Sequence, residues 1–127
     1  MERGTIQRVS PDFSKRETIC TGIRFAVGLP FNRQGDLFCT DQEGATWSPN
    51  GNPLDELLHI ETGRHYGFPP AGRVVCRTSS TNTLGTLQAL TVDACVSPRG
   101  DLIVATHGGL PDWGTGPNGK GELWRIR

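Results

Sequence analysis

Long hydrophobic runs are missing from this sequence. No apolar stretch exceeds a few residues, so no helical membrane span is expected. The opening MERGTIQRVSPDF lacks the apolar core of a signal peptide, so either the protein is cytosolic or an export signal lies elsewhere. No lysine or arginine run appears and the formal net charge is zero, which argues against a broad footprint for nucleic acid. The four cysteines (Cys20, Cys39, Cys76 and Cys95) are widely spaced and form no CxxC, which argues against a zinc or thioredoxin-type motif. No CxxCH occurs, so covalent haem attachment is excluded within the chain. Each cysteine sits in or beside an apolar run, as a small buried hydrophobe does; a disulfide stays open for an exported protein. Gx[ST]xG, Walker and strand–helix GxGxxG motifs are absent too, and GTGPNGKG (114–121) lacks the Ser or Thr that should follow its lysine.

Turn chemistry is abundant instead. Glycine occurs 17 times and proline 9 times in 127 residues, yet the hydrophobic runs between them are regular, so one ordered domain is expected rather than disorder. Short strands are expected over 4–9, 17–21, 27–31, 36–40, 73–76, 87–96, 101–106 and 121–126, with turns at Ser10-Pro11-Asp12, Asn32 to Gly35 and Ser97 to Gly100. Near-continuous Leu37, Phe38 and Cys39 suggest a strand buried on both faces. LDELLHI (54–60) fits either period, but it is short for a helix, so a turn entering a strand is expected. The Ser/Thr/Asn tract 78–86 has no periodicity and is expected as a loop.

A repeat organises these pieces. GTIQRV (4–9) resembles GELWRI (121–126), and FNRQGDLFCTD (31–41) resembles VSPRGDLIVAT (96–106), each of the latter pair carrying a Gly-Asp turn into an apolar strand. Repeating short antiparallel strands predict an all-β chain: a partial β-propeller of about two blades with long inter-strand loops, or a small sandwich. In the propeller reading, 1–127 is a single partial domain with blade-like segments about 4–41 and 87–126 and an inserted loop over 41–70. Propellers need four or more blades to close, so edge strands and apolar surface should be exposed.

Most candidate chemistry lies between Phe38 and Pro69: Asp41, Glu43, Asp55, Glu56, His59, His65 and Tyr66. Four motifs there and just before it carry a resemblance: Arg24-Phe-Ala-Val-Gly28-Leu29, Thr40-Asp-Gln-Glu-Gly44, Asp55-Glu-Leu-Leu58 and Gly63-Arg-His-Tyr-Gly-Phe-Pro69. With this spacing the chain resembles the soluble quinoprotein sugar dehydrogenases, also called glucose/sorbosone dehydrogenases. GATWSPNGNPLDELLHI and HGGLPDWGTGPNGKGELWRI look like a bacterial branch often fused to cytochrome c domains. The resemblance implies a six-bladed propeller that uses pyrroloquinoline quinone (PQQ) and calcium to oxidise a small sugar or alcohol. It also implies a cytochrome c as electron acceptor and a periplasmic or exported full-length parent.

Residue by residue, the resemblance places Arg24 against the quinone's carboxylates, where a bidentate guanidinium suits a planar anion. Gly44 and Ala45 match the turn whose carbonyls hold the catalytic calcium. Glu56 and Tyr66 match structural calcium ligands, with Asp55 beside them; hard calcium takes such oxygen donors. Ala45 stands where the family has proline, Leu58 where it has asparagine and Phe68 where it has tryptophan. The family's general-base histidine belongs to an earlier blade, so no catalytic residue is assigned and the chain is expected to be inactive alone.

Plainer readings stand beside these. Asp55 and Glu56 also suit a turn cap or a solvated face, and Arg24 also suits a loop arginine bonded to backbone carbonyls. His59 or His65 with Glu56 as a transition-metal set requires a helix that the segment lacks the length to form. His107 lies on a loop after a strand, Trp47 and Trp113 suit stacking on a sugar, and Trp124 alternates as a core residue. The competing function is a non-catalytic propeller module that binds a protein or glycan partner.

Overall fold

The computed structural model describes residues 4–42, 55–68, 83–87, 90–107 and 121–126, with only the backbone of 83–87 and 90. Eight strands run through it with no helix among the described residues: β1 (Thr5–Val9), β2 (Arg16–Thr21), β3 (Leu37–Asp41), β4 (Asp55–Ile60), β5 (Thr83–Leu87), β6 (Leu90–Val96), β7 (Leu102–His107) and β8 (Leu123–Ile126). They form three antiparallel sheets in the orders β1-β2, β3-β4-β5 and β6-β7-β8. Eight strands equal two blades at four strands each, but they are spread over three sheets.

The repeat reaches into the hydrogen-bond register. Ala26 bridges Asp41 and Phe31 bridges Leu37 in the middle sheet; Thr91 pairs with Thr106 and Val96 with Leu102 in the third. Each pair is displaced by 65 residues (26 to 91, 31 to 96, 37 to 102, 41 to 106). The turns match in detail. Asn32 N–H donates to Asp36 O (3.0 Å) and Ser97 N–H to Asp101 O (2.8 Å). Asn32 Oδ1 accepts from the amides of Gln34 and Asp36, and Ser97 Oγ from those of Arg99 and Asp101. Gly35 and Gly100 both take φ near 90° (91° and 92°), which the turn needs and glycine supplies.

Residues 27–31 were expected as a full strand; they run beside β3, with Val27 N–H donating to Thr40 O (3.0 Å) and Thr40 N–H to Gly28 O (3.1 Å), but bridge it only at Phe31 and at the preceding Ala26. Pro30 has no N–H to give to a ladder, though its carbonyl still accepts from Phe38 (2.9 Å). Within the stretch 41–70, the turn into a strand expected over 54–60 is β4, the central strand of the middle sheet. β4 pairs with β3 through Cys39–Leu58 and Asp41–Glu56. β5 occupies the end of the Ser/Thr/Asn tract that was expected as loop, and residues 73–76 lie outside the described part.

Two cores lie between successive sheets. Ile6, Cys20, Ile23, Cys39, Leu58, Ile60 and Tyr66 fill the first, with Ile19 and Leu37 packed against it. Leu57, Leu102 and Val104 fill the second, with Phe38, Ala94 and Val96 beside them. Successive strand residues point to opposite faces, so Leu57 and Leu58 serve different cores. That is why DELLHI is apolar at consecutive positions. Burying each leucine stabilises by roughly 1.5–3 kcal/mol. After β4 the chain folds back beside β2: Gly63 N–H donates to Ile19 O (2.7 Å), Tyr66 N–H to Thr21 O (2.9 Å) and Phe68 N–H to Gly22 O (2.8 Å). Gly22 (φ 80°) permits this approach, since a Cβ there would lie 2.6 Å from Tyr66 N.

Candidate functional site

One end of the sheets gathers the buried polar residues. It is the end where β3 and β7 finish and β4 and β8 begin, called the upper end. Thr40, Asp41, Asp55, Glu56, Thr91 and Thr106 are all buried there. Buried polar groups persist only where they are hydrogen-bonded, so their partners define the site.

Asp41 closes β3. Its Oδ2 accepts from Arg24 N–H (3.0 Å) and its Oδ1 from Phe25 N–H (2.6 Å). The carboxylate thereby holds the link from the first sheet to the second. Burial pushes the Asp41 carboxyl above its ordinary range, against the pull of those two amides and of the Arg24 charge. Arg24 is half-buried, and its Nη1 donates to the Gln42 carbonyl (2.8 Å). Gln42 N–H donates to Phe25 O (3.1 Å), and its side-chain amide donates to the Thr91 carbonyl on β6. Thr91 in turn gives its N–H (2.7 Å) and its hydroxyl (3.1 Å) to Asp55 Oδ2 on β4. A continuous polar network therefore joins the 24–25 link, β3, β4 and β6.

The sequence-derived candidates separate on this frame. Arg24, Asp41, Asp55 and Glu56 share the upper end, Glu56 lying opposite Asp41 in the strand register. Asp55 carries both Thr91 donors on one oxygen. The Tyr66 side chain belongs to the first core: its hydroxyl donates to His59 O (2.6 Å) and accepts from Glu61 N–H (2.8 Å). His59 lies nearer the lower end, stacked on Phe38 at 5.3 Å with Nε2 4.0 Å from Asp36 Oδ1. Glu56 and His59 would share a face of a helix; on the strand β4 they fall on opposite faces. His65 Nδ1 accepts from Gly67 N–H (3.0 Å), and His107 is exposed at the end of β7. Trp124, expected in the core, is exposed on β8. Gly44, Ala45, Trp47 and Trp113 lie outside the described residues.

Burial pushes the Cys39 thiol up to about 12 and raises that of Cys20, so neither is a thiolate at neutral pH. Both are free thiols, as is exposed Cys95. Among the described residues, no group of three or more His, Cys, Asp or Glu side chains is placed to hold a metal ion.

Neither the family models nor the curated proteins searched give a match to the chain. Among solved structures, the chain is similar to the PQQ-bound form of aldose sugar dehydrogenase from Streptomyces coelicolor. The TM-score is 0.63 at 22% identity, over 95% of this chain and 39% of that one. The likeness shows the fold. This chain is an all-β, partial β-propeller that folds like part of that protein.

Gln42 stood inside the Thr40–Gly44 motif without a role and Thr91 in no motif, because each is an ordinary polar residue in sequence. The available signal was a third copy of a strand already seen twice. DELLHI (55–60) aligns with GELWRI (121–126), since Leu58 and Ile60 pair with Cys39 and Leu37 as Trp124 and Ile126 pair with Val104 and Leu102. That alignment puts the starts of β4 and β8, and with them Asp55, at one end of the fold.

Proposed function

We propose that the chain is a segment of a quinone-dependent, PQQ-type sugar or alcohol dehydrogenase-like propeller, with its upper end forming part of the cofactor site and no turnover of its own. One observation carries this reading. Arg24 stands at the upper end of a PQQ sugar dehydrogenase-like fold, with its backbone amide fixed by Asp41 and Nη1 fixed by the Gln42 carbonyl. A guanidinium held in this way suits the carboxylates of a planar quinone, which it can bind through paired N–H donors. When bound, PQQ supplies the oxidant for an alcohol carbon.

The chain's own residues would bind and orient. Arg24, Gly44 and Ala45 are the proposed cofactor contacts, and Glu56 with the Tyr66 carbonyl the proposed calcium donors, carboxylate and carbonyl oxygens being what calcium prefers. Asp55 has Oδ2 committed to Thr91 and serves first to hold the network. The base that would take the sugar's hydroxyl proton has no counterpart among these residues, which is why no turnover is expected.

Titrating the chain with PQQ in the presence of calcium, followed by quinone absorbance, tests the proposal. Saturable binding that weakens in Arg24→Ala is expected, with no dye reduction when glucose is added. No saturable binding would sink it in favour of a non-catalytic propeller module for a protein or glycan partner. Sustained dye reduction would overturn the claim of inactivity.

A further inference from the structure

The polar network at the upper end is not demanded by the strand register it accompanies. The next repeat makes the same register without it. Displaced by 65 residues, Asp41 becomes Thr106, as their pairings with Ala26 and Thr91 show. The same displacement turns Arg24 into Ala89 and Gln42 into His107. On the third strand of the unit, Asp55 corresponds to Gly121. A charged arginine, two buried carboxylates and an amide thus occur at one junction, where the corresponding sequence positions one repeat later are alanine, threonine, histidine and glycine. Burying carboxylates is unfavourable unless donors surround them, so this junction uses chemistry that the fold does without one unit later.

The connectivity says what that chemistry acts on. Asp55 accepts both donors of Thr91, which is fully buried. The Thr91 carbonyl accepts from the Gln42 side chain. Gln42, thereby fixed to a second sheet, presents its own carbonyl to Arg24 Nη1 at 2.8 Å. The remaining backbone ties, from Arg24 and Phe25 to Asp41, fix the arginine's Cα. One end of the arginine is set by Asp41 and the other by Gln42. A long side chain with much rotamer entropy to lose is therefore pre-ordered before any ligand arrives.

Resting on the cofactor reading above, we infer that Gln42 and Thr91 are positioning residues that hold the Arg24 guanidinium for a planar polycarboxylate ligand. Their side-chain hydrogen bonds act on affinity for the anion, through Arg24; the strand register recurs in the next unit without a counterpart of Gln42's amide.

The test compares two quinones on the full chain by titration calorimetry: PQQ, a tricarboxylate, and 1,10-phenanthroline-5,6-dione, a neutral tricyclic quinone. Gln42→Met keeps the side-chain length and removes the donor. It should raise the Kd for PQQ about fivefold, the scale of one neutral amide–carbonyl bond, and leave the affinity for the neutral quinone unchanged. Thr91→Val should raise it about threefold, and Thr91→Ser should restore it. Arg24→Ala combined with Gln42→Met should bind PQQ no more weakly than Arg24→Ala alone, since the glutamine acts through the arginine. An unchanged PQQ affinity in both Gln42→Met and Thr91→Val, while Arg24→Ala weakens it, overturns this inference and leaves the cofactor reading intact. Equal losses for both quinones, or losses that simply follow the drop in Tm, assign a packing role and overturn it as well. A wild-type chain that binds no PQQ takes down both.

Discussion

β4 and β8 are the same strand of the repeat in consecutive sheets, and they live in opposite environments. Leu57 and Leu58 are 1% and 0% exposed, whereas their counterparts Leu123 and Trp124 are 78% and 47% exposed. Local pattern does not separate them: DELLHI and GELWRI share glutamate, leucine and isoleucine at the same positions. The difference comes from neighbours. β4 pairs on both edges and has a sheet packed on each face; β8 pairs with β7 alone among the described residues. In a chain of stacked small sheets, burial is a property of position in the stack. An identical strand contributes its full hydrophobic stabilisation only where both faces are covered.

Truncating the two strands measures that difference directly, and it should produce the largest effect. Leu58→Ala empties a closed core between the first two sheets and should destabilise by ~2–5 kcal/mol. Leu123→Ala should change stability by no more than ~0.5 kcal/mol, since an exposed side chain leaves no cavity. Urea denaturation of both variants, with the slope held common, gives the comparison. A Leu123→Ala loss as large as that of Leu58→Ala would mean that β8 is covered in solution, and a loss that shrinks on dilution would point to a second copy as the cover.

The same contrast explains what the sequence could and could not disclose. The Gly-Asp turns were legible because their chemistry is local: FNRQGD and VSPRGD each contain the capping side chain, the glycine and the aspartate within six residues. The strands that follow were legible from their apolar runs. β4 was harder to place, since it sits between polar stretches and its consecutive leucines fit no single period. That ambiguity is the mark of a strand buried on two faces. Trp124 was misjudged as core because alternation reports which side chains share a face and not whether anything covers it. At the candidate site, Arg24 and Asp55 were visible through their motifs. The bond from Gln42 to Thr91 joins residues 49 apart through a backbone carbonyl that no residue type announces, so it needed the fold.

A smaller effect should separate the upper ends of the two units by their pH dependence. Asp41 occupies the position that is Thr106 one unit later, so only the first unit titrates there. Its carboxyl is raised above the ordinary 3.8, chiefly by burial, so the folded chain holds this proton more tightly than the unfolded chain. The contribution is fully present below 3.8 and is lost as pH rises through the raised folded value. Asp41→Asn is uncharged at every pH and keeps one acceptor oxygen for the two amides, so it carries a pH-independent cost of about 1 kcal/mol for one weakened amide bond. It should also remove the part of the decline in Tm that begins above 3.8. A variant whose Tm falls with pH as steeply as the wild type would assign that decline to another group.

At the lower end the two units differ least, and one substitution can make them alike. His59 and Arg125 are counterparts on β4 and β8, each beside the aspartate of its Gly-Asp turn: His59 Nε2 lies 4.0 Å from Asp36, and Arg125 Nε lies 3.1 Å from Asp101. Arginine is charged at every accessible pH and offers a planar fork to the carboxylate, whereas histidine does so only when protonated. His59→Arg should thus install the second unit's ion pair in the first. Both partners are partly exposed, so water screens the pair and the gain should not exceed ~0.5 kcal/mol at neutral pH. Loss of the stacking between His59 and Phe38 works against it, although a guanidinium can also lie on that ring. The informative readout is salt dependence. Raising ionic strength to about 1 M shortens the screening length to ~3 Å and should erase the gain. A stabilisation that survives high salt would have to come from packing on Phe38, and the two lower ends would then be alike in sequence position but held by different forces.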